Sequence, residues 1–78
     1  MCMFILYSSP ICPYCRKVES FLRENNVPYE ERNVMDPVNR AELIEKGGMM
    51  QVPFFVDTSK DVAMYESDDI LAYIQASL

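Results

Sequence analysis

The 78 residues suffice for one small domain, and half of them are hydrophobic, a composition typical of a folded globular protein. The formal charge of −5 argues against nucleic acid and anionic membranes as partners, and no apolar stretch is long enough to span a bilayer. With no histidine and only three cysteines, the composition also argues against a structural zinc site of the zinc-knuckle type.

The beginning of the chain lacks the basic start and the cleavage site of a secretory signal. A low, odd number of cysteines suits a reducing compartment. We therefore expect a cytoplasmic protein that folds as a single domain over residues 1–78 and is monomeric.

The first part of the chain predicts a βαβ unit. Residues 3–7 are apolar without alternation, which predicts a buried strand, and Pro13 suits the first position of a helix that runs to about residue 25. The shorter, polar strand predicted over residues 29–34 should pair with the first in parallel, because the helix serves as the crossover. The helix is predicted to bury Cys15, Val18, Phe21 and Leu22 and to expose its charged residues, Glu19 among them.

The second part predicts a helix, a hairpin and a final helix. Asp36 caps a helix over residues 37–46 that Gly47 and Gly48 end, and its apolar residues are Ala41, Leu43 and Ile44. Strands over 54–56 and 62–65 flank a polar turn and should be antiparallel. Ser67 is the predicted N-cap of the last helix, which buries Ile70, Leu71 and Ile74. The order βαβαββα predicts an α/β fold with a four-stranded mixed sheet flanked by three helices.

The stretch from Ile11 to Cys15 carries the chemistry. Cys12 is predicted at a helix N-terminus, where unpaired N–H groups and the helix dipole stabilise a thiolate, with a small further contribution from Arg16 and Lys17. Cys15 lies one turn further on the same face and is directed inward. This pairing of an exposed attacking thiol with a shielded resolving thiol predicts thiol–disulfide exchange.

The alternative for the pair is two ordinary buried cysteines, but a strand, a turn and a helix are the context expected of a redox motif. Cys2, in the apolar first strand, is interpreted as a packing residue without a role.

Three motifs together resemble those of dithiol glutaredoxins, and the resemblance covers essentially the whole chain. They are Cys12-Pro13-Tyr14-Cys15, the Val52-Pro53 pair ahead of a strand, and the acidic start of the last helix from Glu66 to Asp69. The resemblance implies a thioredoxin-like fold, glutathione as reductant and cosubstrate, and no metal. It also implies disulfide-bonded or glutathionylated proteins as partners, with ribonucleotide reductase as one candidate.

The resemblance also implies a glutathione site. Tyr14 would border the glutathione cysteine, Pro53 would be cis so that the Val52 backbone pairs with the tripeptide, and Ser67 and Asp68 would hold the γ-glutamyl end. The residues alone allow simpler interpretations. A trans proline suits the first position of a strand, and a serine N-cap followed by two acids needs no ligand.

Two departures from the glutaredoxin pattern qualify the site. Ser9 stands where many glutaredoxins have a lysine, which leaves Gln51 and, more weakly, Arg40 as candidates for holding the glycine carboxylate. Tyr65 and Glu66 stand where many have paired glycines. Gln51-Val52-Pro53 and Glu66-Ser67 resemble instead the N-terminal domain of glutathione transferases and the larger bacterial glutaredoxin, which would add Glu66 to the glutathione site.

The leading hypothesis is a glutathione-dependent oxidoreductase with Cys12 as nucleophile and Cys15 as resolver. Two alternatives keep the fold: a thioredoxin-reductase-coupled electron donor to ribonucleotide reductase, and a binding module for a glutathione-ligated iron–sulfur cluster. A glutathione transferase is the least favoured hypothesis, because the sequence ends at Leu78, where a helical domain that binds the electrophile would begin.

Overall fold

The computed structural model describes residues 4–78 and contains the predicted elements in the predicted order. The elements are β1 Phe4–Ser8, α1 Pro13–Glu24, β2 Glu30–Asn33, α2 Pro37–Gly47, β3 Phe54–Asp57, β4 Val62–Met64 and α3 Ser67–Ser77. The predictions for Cys2 and Met3 lie outside the described residues.

The strands form one mixed sheet in the order β2-β1-β3-β4. As predicted, β1 is parallel to β2 and β3 is antiparallel to β4. In addition, β3 is antiparallel to β1. Tyr7 pairs with Phe54, so the carboxyl end of β1 lies beside the beginning of β3. This topology brings the segment after β1, with Cys12, next to the segment before β3, with Val52 and Pro53.

The sheet has a hydrophobic core on each face because the strand side chains alternate. The core under α1 and α3 contains Phe4, Leu6, Val18, Leu22, Phe55, Ile70 and Ile74. The core under α2 contains Tyr7, Val34, Leu43, Phe54 and Val56. Together with the mixed sheet, these two layers of helices give a thioredoxin-like α/β fold, as the resemblance implied.

The buried side of α2 differs from the prediction. Leu43 is fully buried, but Ala41 and Ile44 are exposed. The less exposed stripe of α2 runs through Asn39, Leu43 and Gly47 at a spacing of four residues, so only one of its members is a large apolar side chain. The apolar residues of this helix therefore did not mark the side that contacts the sheet.

Glu19 was predicted to face water and is instead partly buried in α1. Burial raises the pKa of its carboxyl group, and the nearby Glu31 carboxyl of β2 raises it further. The hydroxyl of Ser8, at the end of β1, donates to Glu31 at 3.3 Å. The crossover thus places two carboxyl groups against each other between α1 and β2.

Candidate active site

Cys12 is the N-cap of α1, as the sequence predicts. Its backbone is extended (φ −95°, ψ 110°), and its N–H donates to the carbonyl of Ser9 at 3.1 Å. Its sulfur accepts the N–H of Cys15 at 3.2 Å. A free N–H group at the start of a helix therefore points at the Cys12 sulfur, an arrangement that stabilises negative charge there.

Cys15 is a free thiol like Cys12 but has the opposite surroundings. It is 1% exposed, whereas Cys12 is only partly buried. Burial raises the pKa of the Cys15 thiol to about 12, and its interaction with Cys12 contributes to the rise. The predicted contrast between an accessible sulfur and a shielded one is confirmed.

Val52 and Pro53 face the Cys12 sulfur from the segment before β3. The peptide bond between them is cis, as the resemblance implied and the residues alone did not. Pro53 is buried, and the Val52 carbonyl lies 3.9 Å from Cys12 Sγ. The backbone ahead of β3 therefore lines one side of the approach to the reactive sulfur.

A recess of about 470 Å³ opens beside this backbone segment. All seven residues predicted to bind glutathione line it: Tyr14, Gln51, Val52, Pro53, Glu66, Ser67 and Asp68. A smaller groove of about 280 Å³ lies near Phe4, Val27 and Ile74, away from both sulfurs. The recess next to Val52 is therefore the one suited to a ligand that must reach Cys12.

The recess has one further lining residue, Tyr65, to which sequence reasoning gave no role. Tyr65 appeared in the sequence only as a departure from paired glycines. That departure was the available signal, since a large aromatic residue just before Glu66 must occupy space that the glycines leave open.

The start of α3 differs by one residue from the prediction. Glu66, not Ser67, is the N-cap, because the Glu66 carbonyl accepts the first helical hydrogen bond, from the N–H of Ile70 at 2.9 Å. The Glu66 side chain makes no capping hydrogen bond. Ser67 is the first helical residue and still lines the recess.

The basic residues near Cys12 contact other groups. Lys17 Nζ pairs with Asp68 Oδ1 at 3.2 Å, and Arg16 Nη2 donates to the Pro10 carbonyl at 3.2 Å. Neither side chain contacts the Cys12 sulfur, which accepts the N–H of Cys15 instead, and the small contribution expected from the two charges stays a prediction.

Of the two candidates for a glycine carboxylate, only Gln51 lines the recess. Arg40 Nε donates instead to the Val34 carbonyl at 3.4 Å, on the side of α2. Ser9, in place of a lysine, accepts a long hydrogen bond of 3.5 Å from the N–H of Ile11.

Residues 4–78 contain no group of three or more metal-ligating side chains placed to hold an ion. The same part of the chain has no helix that is long and apolar enough to cross a membrane.

Comparison with known proteins shows which family this sequence matches. Residues 6–77 match the family described as the N-terminal domain of glutathione S-transferase. The chain belongs to this family. The similarity to the N-terminal domain of the transferases, noted from Gln51-Val52-Pro53 and Glu66-Ser67, is therefore confirmed at the level of the family.

Solved structures share this fold. The thioredoxin-like protein BC3987 has a TM-score of 0.81 and 29% identity, and the match covers 96% of this chain and 99% of that one. A glutathione transferase homologue from Drosophila mojavensis with bound glutathione has a TM-score of 0.81 and 26% identity, and the match covers 99% of this chain and 36% of that one.

Among curated proteins, the chain resembles a global transcriptional regulator, Spx 1 of Bacillus cereus. The two are 50% identical over 44 residues, which make up 55% of this chain and 34% of the regulator. The match spans about a third of the length of that relative.

Proposed function

We propose that this protein is a glutathione-dependent thiol–disulfide oxidoreductase of the glutaredoxin type. It reduces protein disulfides and protein–glutathione mixed disulfides. The observation that carries the proposal is the Cys12 sulfur between the start of α1 and the Val52 backbone, with the recess alongside. We assign the activity to a single, monomeric domain of residues 1–78 in the cytoplasm.

The reaction begins at the exposed sulfur. The Cys12 thiolate attacks one sulfur of a disulfide, forms a Cys12 mixed disulfide and releases the other sulfur as a thiolate. Cys15 then loses its proton, attacks Cys12 and releases the second substrate thiol, which leaves a Cys12–Cys15 disulfide. Two glutathione molecules reduce this disulfide in turn and depart as glutathione disulfide, so two electrons pass from glutathione to the substrate.

The recess supplies the contacts for glutathione. The Val52 backbone would pair with the extended tripeptide as an added strand, with Tyr14 bordering its cysteine. Glu66, Ser67 and Asp68, at the start of α3, would hold the γ-glutamyl end. Gln51 is the candidate for the glycine carboxylate, and Lys17 forms an ion pair with Asp68 at the rim.

Single-cysteine variants test the assigned roles. Cys12→Ser should reduce activity on both substrate classes by at least about a hundredfold, because it removes the nucleophile. Cys15→Ser should stay within about threefold of the parent on glutathionylated substrates, which need one thiol, and lose activity on protein disulfides. Coupled assays at millimolar glutathione measure both activities, and equal loss of both in Cys15→Ser would contradict the assignment.

The similarity to Spx 1 favours a second candidate, a redox-responsive domain of a regulatory protein. In that role the Cys12–Cys15 disulfide is a lasting signal rather than a catalytic intermediate.

Incubating the oxidised protein with millimolar glutathione distinguishes the enzyme from the regulatory domain. An enzyme is reduced within seconds and turns over, with a transient glutathione adduct on Cys12 visible by mass spectrometry. A regulator stays oxidised and forms no adduct, and reduction by thioredoxin reductase alone would indicate the thioredoxin-coupled alternative.

A further inference from the structure

Tyr65 contacts both ends of the segment that faces Cys12. Its hydroxyl accepts the N–H of Met49 at 3.1 Å and donates to the carbonyl of the same residue at 2.9 Å. Its ring packs on that of Phe54, with 4.6 Å between the centroids. Met49 lies three residues before Val52 and Phe54 two residues after it, so one side chain contacts the chain on both sides of Val52.

Tyr65 also belongs to the opposite wall of the recess. It directly precedes Glu66, the N-cap of α3, and lines the cavity together with Glu66, Ser67 and Asp68. The side chain therefore joins the two walls between which a ligand would lie.

The space for the Tyr65 hydroxyl depends on a glycine in α2. A Cβ atom built on Gly47 would lie 1.9 Å from the Tyr65 hydroxyl oxygen and 2.6 Å from Cζ. No side chain at position 47 is compatible with the present position of Tyr65. Gly47 and Tyr65 thus fit together at the end of α2, just before Met49.

From these contacts we infer that Tyr65 is a positioning residue of the glutathione site, which sets the distance between the Gln51–Val52 backbone and the start of α3. The inference rests on the proposed function, since it assigns a role within that site. Tyr65 does not reach the Cys12 sulfur, which meets Val52 and Cys15 instead. Its effect should therefore appear in glutathione binding and not in the intrinsic reactivity of Cys12.

The test substitution is Tyr65→Phe, which keeps the ring against Phe54 and removes both hydrogen bonds to Met49. A loosened backbone segment spends a smaller fraction of time in the binding-competent arrangement, and the apparent affinity falls by that fraction. We expect the dissociation constant of S-methylglutathione, an unreactive analogue, to rise about three- to tenfold. Amide exchange at Met49 should accelerate in parallel, while alkylation of Cys12 by iodoacetamide should keep its rate.

The matched control is Tyr73→Phe, which also removes a tyrosine hydroxyl but breaks a hydrogen bond to Asp57, whose contacts lie in the β3–β4 turn. It should leave S-methylglutathione affinity unchanged. Gly47→Ala is an independent perturbation of the same contact and should weaken binding as Tyr65→Phe does.

The outcomes distinguish failure of the proposed function from failure of the inference about Tyr65. If the parent protein does not bind S-methylglutathione and forms no Cys12 adduct, the proposed function fails, and the inference fails with it. If the parent binds and Tyr65→Phe binds equally well, the inference alone is overturned. Loss of affinity with an equal loss of Cys12 alkylation would also overturn it, because the hydroxyl would then support the whole site rather than the recess.

Discussion

Cys12 and Cys15 are three residues apart, and their different surroundings determine what each sulfur can do. The Cys12 sulfur accepts a hydrogen bond from the N–H of Cys15 and remains accessible to a substrate. The Cys15 thiol is buried, and its pKa is raised to about 12. The order of events in the proposed exchange follows from this contrast. We expect the accessible sulfur to react first and the buried one to react only after a substrate is attached to Cys12.

The surroundings of a single residue, Glu19, predict how stability depends on pH. The pKa of Glu19 is raised in the folded protein by burial and by Glu31. A carboxyl group with a raised folded pKa contributes stability below its unfolded pKa, and this contribution is lost as the pH rises through the folded value. The charged form of Glu19 is therefore the disfavoured form in the folded protein. Glu19→Gln should raise the free energy of unfolding at pH 7 by about 0.5 kcal/mol and flatten its pH dependence.

Urea denaturation between pH 4 and pH 8 measures this effect. The matched comparison is Glu24→Gln, an exposed residue at the end of the same helix, whose substitution removes an unfavourable charge from the helix C-terminus and should raise stability slightly at every pH above its own titration. A Glu19→Gln variant no more stable than the Glu24→Gln control at pH 7 would contradict the prediction.

At the scale of elements, the β3–β4 turn is organised by one buried acid. Asp57 is 2% exposed and accepts hydrogen bonds from Ser59 N at 3.0 Å, from the Ser59 hydroxyl at 2.7 Å and from the Tyr73 hydroxyl of α3. Burial alone would raise the pKa of Asp57, but these bonds outweigh it and lower the pKa. The turn is thereby joined to the last helix.

Asp57→Asn should lower the free energy of unfolding at pH 7 by about 1–3 kcal/mol, since it replaces a charged acceptor with a neutral amide. A carboxyl group with a lowered folded pKa contributes stability above its unfolded pKa, and this is lost as the pH falls through the folded value. The difference between parent and variant should therefore shrink at acid pH. Chemical denaturation at pH 7 and pH 3 measures it.

Asp61→Asn is the control for this substitution. Asp61 lies exposed in the same turn at φ 54°, a conformation that asparagine also adopts, so stability should not change. A loss as large as that of Asp57→Asn would show that the turn, and not the buried acceptor, determines the effect.

The strands and helices also show which buried faces can be predicted from the sequence. The unbroken apolar run of β1 and the spacing of Val18 and Leu22 in α1 predicted their burial, because large apolar side chains mark those faces. In α2 the contact side carries Asn39 and Gly47 beside Leu43, so an apolar pattern could not identify it. Tyr65 was missed for a related reason. Its hydroxyl bonds to the backbone of Met49 and occupies the space that the absent side chain of Gly47 leaves open, and neither feature appears in an apolar pattern.

For the whole molecule, the two edge strands of the sheet influence whether a second chain can pair with it. The edges are β2, with the charged and polar residues Glu30 to Asn33, and β4, which is only three residues long. Charged or short edge strands pair poorly with another chain. We expect a single monomeric species by sedimentation velocity across a hundredfold concentration range, about 10 μM to 1 mM, and a concentration-dependent dimer would contradict this.

The site itself depends on the topology of the whole chain. The sequence predicted seven of the eight residues that line the recess, and only through a family resemblance, because Tyr14, Gln51 and Glu66 lie far apart along the chain. Only the strand order β2-β1-β3-β4 brings the end of β1 next to the beginning of β3. Local patterns of hydrophobicity and turns do not specify which strand becomes the neighbour.

The fit between Gly47 and Tyr65 has a consequence for the evolution of this fold. Because a Cβ at position 47 would overlap the tyrosine hydroxyl, Gly47 cannot be replaced freely while Tyr65 is kept, whereas Tyr65 can be replaced by a smaller residue while Gly47 is kept. In lineages where position 47 acquired a side chain, we expect a smaller residue at position 65, and the loss of tyrosine would come first. The two positions, 18 residues apart, should therefore covary.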